Sequence, residues 1–174
     1  MTVVLIRTEN ERDYDQVYKV NYAAFGNRED EAKLVERIRA TPYFVPQLSL
    51  VAELDGEIVG HLLLSRAEIV NGTECHEVIV LAPIAVKPAH QKHGIGRQLI
   101  QEGLERCRQL GYYVVLLIGH PSYYPKFGFK PARPLGLELK QFEVPDDVFM
   151  VCELKDNELL HIQGELIYPV AFFG

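Results

Sequence analysis

Two stretches of this chain bring together residue types that can do chemistry. The first reads Ile84-Ala85-Val86-Lys87-Pro88 and then Gln91-Lys92-His93-Gly94-Ile95-Gly96-Arg97, an apolar strand pattern followed by two glycines that open onto a helical pattern. Glycines between a strand and a helix let backbone N–H groups come close to a ligand, and the helix N-terminus adds the positive end of its dipole. Such a loop suits a phosphate. It is not a Walker loop, because no Gly-Lys-Ser/Thr follows, and not a dinucleotide fingerprint, because the glycine spacing differs and the feeding strand comes from a hairpin meander. A Gly-x-Gly before a helix, taken alone, also reads as a tight turn. The second stretch is Tyr123-Tyr124-Pro125-Lys126-Phe127-Gly128-Phe129. A phenol, with an ordinary pKa of about 10, can give a proton to a departing anion. Beside Phe127 and Phe129 it also reads as a packed core aromatic.

The elements that must position these residues follow from periodicity. Val3 to Arg7 reads as a strand, and Thr8 with Glu11 three residues on is a capping-box signature for a helix carrying Tyr14, Val17, Tyr18, Asn21, Ala24 and Phe25 at helical spacing. A second, charged helix spans Glu29 to Ala40 with one apolar ridge, Leu34, Val35 and Ile38. Leu48 to Leu54 and Glu57 to Ser65 are strands joined by Asp55-Gly56, and Asn71-Gly72 precedes the apolar run Glu77 to Val86. Pro83 inside that run cannot donate to a ladder, so the strand is disturbed there. Ile95 to Leu110 is a helix that Gly111 caps, and Tyr112 to Ile118 is a strand buried on both faces. Turn-rich residues, a strand from Asp147 to Leu154 and a tail ending Tyr168 to Gly174 complete a mixed α/β order.

With 174 residues the chain makes about one domain, and 48% hydrophobic against 24% charged residues is an ordinary globular balance that excludes wholesale disorder. The longest apolar run is far shorter than the roughly 20 residues of a bilayer helix, and neither signal peptide nor membrane partner is expected. Cys75, Cys107 and Cys152 are widely spaced and form neither a disulfide framework nor a metal knuckle, which fits a reducing cytoplasm. No metal-ligand spacing or Ser-His-Asp order is present. The net charge of −6 argues against a nucleic-acid partner. Between Lys87 and Leu110, however, five basic residues face two acids, a neighbourhood suited to a small phosphorylated ligand or to a solvated helix face.

The strand, the Val86-Lys87-Pro88 step, Gln91, Gly94 and Gly96 resemble the pyrophosphate motif of the GCN5-related N-acetyltransferase (GNAT) superfamily, in its bacterial N-acetyltransferase type. The element order resembles that fold over residues 3–154, with residues 155–174 as a C-terminal extension packed on the same domain. The resemblance implies a single-domain α/β fold, with a mixed, mostly antiparallel sheet, a splayed central parallel strand pair and flanking helices. It implies acetyl-CoA as co-substrate and no metal. The pyrophosphate would lie on the amides of Lys92, His93, Gly94, Ile95, Gly96 and Arg97, flanked by Gln91, and the pantetheine arm would run along the main chain of Ile84, Ala85 and Val86. Tyr124 falls on the tyrosine that relatives use as general acid toward the thiolate. Pro125 departs from the pattern and disfavours α conformation at Tyr124, which keeps Tyr123, otherwise beside the cofactor, as the other candidate.

The reaction implied is transfer of an acetyl group to a primary amine by direct attack in a ternary complex, the acceptor being a small-molecule or peptide amine: small amines, amino acids, antibiotics, protein N-termini and lysines all remain open. The carboxylate some relatives carry on the motif strand corresponds to Val80, which cannot serve; Glu53, Glu77, His61 and His76 are near in sequence, but strand alternation can point any of them outward, so the base is unassigned and a water relay is expected. Glu29, Asp30 and Glu31 read either as an acidic wall of the acceptor site or as exposed first-turn carboxylates. His120 reads as a cofactor or substrate contact or as a surface residue. Tyr168, Phe172 and Phe173 either cover the acceptor cleft, form a homodimer contact or pack as a terminal strand. The rivals are a CoA-binding sensor without turnover, suggested by Val80 and Pro125, and an unrelated nucleotide-binding protein.

Overall fold

The computed structural model describes residues 3–174. Asp55 and Gly56, both at positive φ, turn the chain between β2 (Phe44–Leu54) and β3 (Glu57–Asn71), and a second turn at Gly72 leads into β4 (Glu74–Val86). These strands are longer than the sequence suggests because the alternation of Ala67 and Ile69 with Arg66 and Glu68 carries β3 past Ser65. With β1 (Leu5–Thr8), β5 (Val114–Ile118), β6 (Lys130–Pro131) and β8 (Phe149–Glu153), the order across the sheet is β1-β2-β3-β4-β5-β8-β6. Every pair in that row is antiparallel except β4 and β5. Two more strands absent, like β6, from the sequence reading extend the far half of β3: β9 (Gly164–Ile167) pairs with it, Glu68 meeting Ile167, and β7 (Leu137–Glu138) pairs with β9.

Alternation sorts the strand residues onto two faces. Leu50, Leu62 and Leu64 pack against Leu99, Leu104 and Cys107 of α3 (Ile95–Leu110), whereas Val51, Leu63 and Ala85 pack against α1 (Tyr14–Ala24) and α2 (Asp30–Arg39). Gly111 ends α3 at φ +86°, as its placement predicts. The N-terminal cap differs from expectation. Thr8 is held in the β1–β2 ladder opposite Leu50, so Asn10 and Asp13 form the capping box two residues later, in a 3-10 turn that leads into α1. Among the described residues no helix is long and apolar enough to cross a membrane.

The feature that shapes a site is the parting of β4 from β5. They pair only at Ile79 with Val115 and Val80 with Leu116. Beyond Val80, β4 stays with β3 through a bulge that carries its register from Leu81 opposite Leu64 to Ile84 opposite Leu62. Pro83 lies in that bulge, after a cis peptide bond, at the point where the sequence predicts a disturbance.

The tail packs as part of the body. Arg37 on α2 donates to the Ala171 carbonyl at 2.8 Å, and Tyr168, Phe172, Phe142 and Phe173 form a chain of ring contacts, with centroids 4.9–5.3 Å apart. The residues from Val170 to Phe173 form a 3-10 turn instead of a terminal strand, and Phe172 joins the α2 face to the β8–β9 core.

A buried polar cluster lies on the α1 side of the sheet. His61 on β3 is wholly buried. Asn21 donates to the Val17 carbonyl at 3.0 Å and lies 3.3 Å from His61 Nδ1, which leaves the ring proton on Nε2, 3.1 Å from Ser49 Oγ. The Glu9 carboxylate, 3.7 Å from Nε2, is bound by Arg39 at 2.8 Å. Burial pushes the His61 pKa down to about 4, with Glu9 opposing the shift and Arg39 adding to it. Since this lies below the unfolded value of about 6.5, the neutral ring stabilises the fold fully above pH 6.5 and ceases to do so as pH falls toward 4, a loss of up to about 3 kcal/mol. Urea midpoints at pH 7 and 4.5 are expected to differ more in the wild type than in His61→Gln. Equal differences would show that His61 does not drive the acid sensitivity.

Candidate active site

The loop from Lys87 to Gly94 is built from local rules. The Lys87 N–H bonds the Val59 carbonyl at 2.8 Å, prolonging the β3–β4 pairing, and Pro88 starts a 3-10 turn closed by His90 N–H to Lys87 O at 2.8 Å. Gln91 Nε2 then donates to the Val86 carbonyl at 3.0 Å, pinning the loop to the end of β4. Lys92 and Gly94 take positive φ, 66° and 83°, and aim the chain into α3. Gly94 is the N-cap, with no side chain capping the helix and no acid in its first turn. The amides of Ile95, Gly96 and Arg97 therefore have no intrahelical acceptor, and the dipole adds positive potential.

These amides border a cavity of about 420 Å³, lined by Val86, His90, Gln91, Lys92, Gly94 to Arg97, Tyr123 and Lys126. A Cβ on Gly96 would sit 3.6 Å from the Tyr123 hydroxyl and 3.9 Å from Val86, so the glycine leaves space on the cavity side of the helix. Lys126 lies over the Tyr123 ring, 4.2 Å from its centroid. Bare amides, the space at Gly96 and the cations Lys92, Arg97 and Lys126 fit a pyrophosphate. The sequence reading missed His90 and Lys126, while His93 is exposed and outside the lining. The basic neighbourhood divides in two: Lys87 pairs with Glu57, Arg106 with Glu102 and Arg108 with Glu105, whereas Lys92 and Arg97 line the cavity. The Ile95 side chain enters the core under α3, and that of Ala85 the core under α1 and α2, so only their main chains can face a ligand.

A second cavity, about 450 Å³, opens where β4 and β5 part. Leu81, Ala82, Pro83 and Ile84 form one wall, Ile118, Gly119 and His120 the other, Phe25, Glu31 and Leu34 come from the helical layer, and Tyr124 lies at the base. Ile84 borders both regions, since its Cδ1 lies 4.0 Å from where a Gly96 Cβ would be.

The two tyrosines divide between the cavities. Tyr124 starts a 3-10 turn in which Pro125 occupies an early position that needs no N–H, so the proline leaves Tyr124 buried in the splay, edge-on to Phe129. Burial pushes its pKa up to about 12, with Tyr123 adding to the shift. Tyr123 is half-buried beside the first cavity, and its pKa is raised by burial against the opposing charge of Arg97. The Tyr124 ring packs on Gly119 so closely that a Cβ there would lie 2.3 Å from Cε2. Gly119→Ala must therefore displace the ring. If Tyr124 does chemistry, a displacement of about 1 Å is expected to lower turnover on the order of 10²-fold with CoA affinity retained, measured by thiol release and calorimetry. Unchanged turnover would detach Tyr124 from the reaction.

The acidic trio at α2 also divides. Glu29 pairs with Lys33 at 2.8 Å and Asp30 is exposed, whereas Glu31, bound to Arg28 at 3.2 Å, lines the second cavity. Glu53 is bound by Arg7 at 3.0 Å, Glu77 stands opposite Glu68 in the β3–β4 ladder, and His76 lies 3.8 Å from Glu74; none of the three lines the splay. Burial pushes the Cys107 and Cys152 thiols up to about 12 and 11, consistent with inert core residues.

Residues 5–132 match the family model described as an acetyltransferase (GNAT) domain. The chain is 38% identical over 119 residues to YjhQ, an uncharacterized N-acetyltransferase of Escherichia coli K12, a match covering 68% of this chain and 65% of the relative, just under two thirds of its length. The structure superposes on the E. coli GNAT family N-acetyltransferase YhbS in complex with CoA with a TM-score of 0.91, at 28% identity, covering 100% of this chain and 94% of that one. A GNAT family acetyltransferase from Brucella melitensis in complex with acetyl-CoA gives a TM-score of 0.78 at 31% identity, covering 98% of each chain. The family model covers most of the chain, and the parted parallel strands and bare helix N-terminus agree with it: the chain belongs to the acetyltransferase (GNAT) family.

Proposed function

We infer that this chain transfers the acetyl group of acetyl-CoA to a primary amine by direct attack in a ternary complex, with Tyr124 as general acid. The observation that carries this reading is the position of Tyr124, a buried neutral phenol in the cleft between β4 and β5, beside the phosphate-type cradle of α3. Bound acetyl-CoA supplies the activated thioester. The first-turn amides of α3, with Lys92, Arg97 and Lys126, hold its pyrophosphate, and the main chain of Ile84 to Val86 aligns the pantetheine arm.

The amine must first shed a proton, since an ammonium of pKa about 10 has no lone pair. Glu31 and His120 are the titratable side chains that line the cleft besides Tyr124, and they pass protons to solvent, directly or through water. The neutral amine forms the C–N bond as the C–S bond breaks, Tyr124 protonates the departing sulfur, and the nitrogen releases its remaining extra proton. Three free cysteines suit a reducing cytoplasm.

The rival is a CoA-binding module without turnover. In its favour, Val80, at the position of the strand carboxylate, is wholly buried against Leu116. Calorimetric titration with acetyl-CoA, CoA and ATP, followed by an amine screen for thiol release, separates the two. Selective CoA binding with amine-dependent release supports transfer, binding without release supports the module, and no CoA binding overturns both.

A further inference from the structure

We propose that the acceptor is a small primary amine carried on an apolar body and lacking a carboxylate, an arylalkyl- or alkylamine; this rests on the acetyl-transfer reading above. The second cavity has a largely apolar lining: Phe25 and Leu34 from the helical layer, Leu81 and Pro83 from β4, and Ile118 from β5. Among its lining residues the carboxylate is Glu31, and none is Lys or Arg. An acceptor carrying its own carboxylate would bring that charge to a lining without Lys or Arg to pair with it, the nearby Arg28 being engaged by Glu31, which disfavours amino acids. An acceptor with several ammonium groups would have one carboxylate to satisfy them and would bury the others against hydrocarbon, which disfavours polyamines.

Glu31 can take an additional cation. Arg28 reaches both of its oxygens from one nitrogen, Nη2, at 3.2 and 3.4 Å, and the Arg28 side chain is largely exposed, so this is a surface pair of small worth. A carboxylate has about four acceptor sites, and an ammonium entering from the cleft can use those that Arg28 does not. The cleft, about 450 Å³ and open to solvent, would have to admit the thioester end beside the amine-bearing end of the acceptor. Pro83, in the β4 wall, lacks the N–H that an extended peptide would use to align its main chain there.

The ammonium is drawn to Glu31 and loses one proton, its nitrogen forms the C–N bond as the C–S bond breaks, the sulfur gains the Tyr124 proton, and the nitrogen's second proton restores the phenol through solvent.

The test is thiol release at saturating acetyl-CoA with phenethylamine, phenylalanine and 1,4-diaminobutane, alongside calorimetric titration of CoA. The expected result is a kcat/KM for phenethylamine at least about tenfold above the other two. Glu31→Gln is expected to raise KM for phenethylamine roughly fivefold, with CoA affinity unchanged as the check on folding. Preference for phenylalanine or the diamine, or a Glu31→Gln variant with unchanged KM, would overturn this assignment while leaving acetyl transfer standing. CoA binding with no release from any of the three amines, or from a wider amine library, would overturn both.

Discussion

Gly96→Trp is expected to raise the Kd for CoA at least about 100-fold, a loss near 2.8 kcal/mol, while the thermal midpoint shifts by only a few degrees. The substitution separates blockage from strain. Gly96 sits in the first turn of α3, and a Cβ there meets the Tyr123 hydroxyl, Val86 and Ile84 at 3.6–4.0 Å, ordinary contact distances that helix and sheet can tolerate. An indole extending from that Cβ occupies the space the pyrophosphate needs. Gly94→Trp tests the same cradle less cleanly, because φ +83° at the N-cap is a conformation that L side chains rarely adopt. Calorimetry with CoA and thermal melts with and without ligand would check the result. A variant that binds CoA as tightly as the wild type would show that the phosphates lie elsewhere.

Tyr124→Phe is expected to lower kcat by on the order of 10²- to 10³-fold, with KM for acetyl-CoA within about twofold. Phenylalanine keeps the ring against Phe129 and Gly119 and removes only the hydroxyl, so stability should be nearly preserved. The pH profile adds a second readout. A general acid works while protonated, and a pKa pushed up to about 12 keeps Tyr124 protonated throughout the usable range. The rate should therefore climb with pH as the acceptor amine deprotonates, without an alkaline fall near the ordinary phenol value of about 10. Tyr123→Phe should retain most of the turnover, because that hydroxyl faces Gly96 at the cradle. If the two variants exchange effects, the acid is Tyr123.

The cradle was legible in the sequence because its determinants are local. Two glycines between a strand and a helix, without a capping side chain or first-turn acid, specify an open helix N-terminus within a few residues. The break at Pro83 was legible for the same reason, since a residue without an N–H cannot sit quietly in a ladder. The acceptor cleft was much less so. Phe25, Glu31, Ile118 and His120 come from separate elements and have no spacing in common, so only the parting of β4 from β5 brings them together. The short strands β7 and β9 were missed because their pairing with each other and with β3 is set by tertiary contact and not by any strong period in their few residues. At the N-terminus, Thr8 and Asn10 are both competent caps, and the demand of the β1–β2 ladder for Thr8 decides between them.

The pairing of β9 with β3 has a consequence for how the protein reaches this state. Glu68 to Val70 wait for Glu165 to Ile167, across roughly 100 residues of intervening chain. During synthesis that stretch of β3 has β4 on one side and an unpaired row of N–H and C=O groups on the other. An open strand edge of this kind invites pairing with other molecules. A chain stalled or clipped before residue 164 is therefore an aggregation-prone species despite having every residue of the cradle, and β9 acts as an intramolecular edge guard that arrives late.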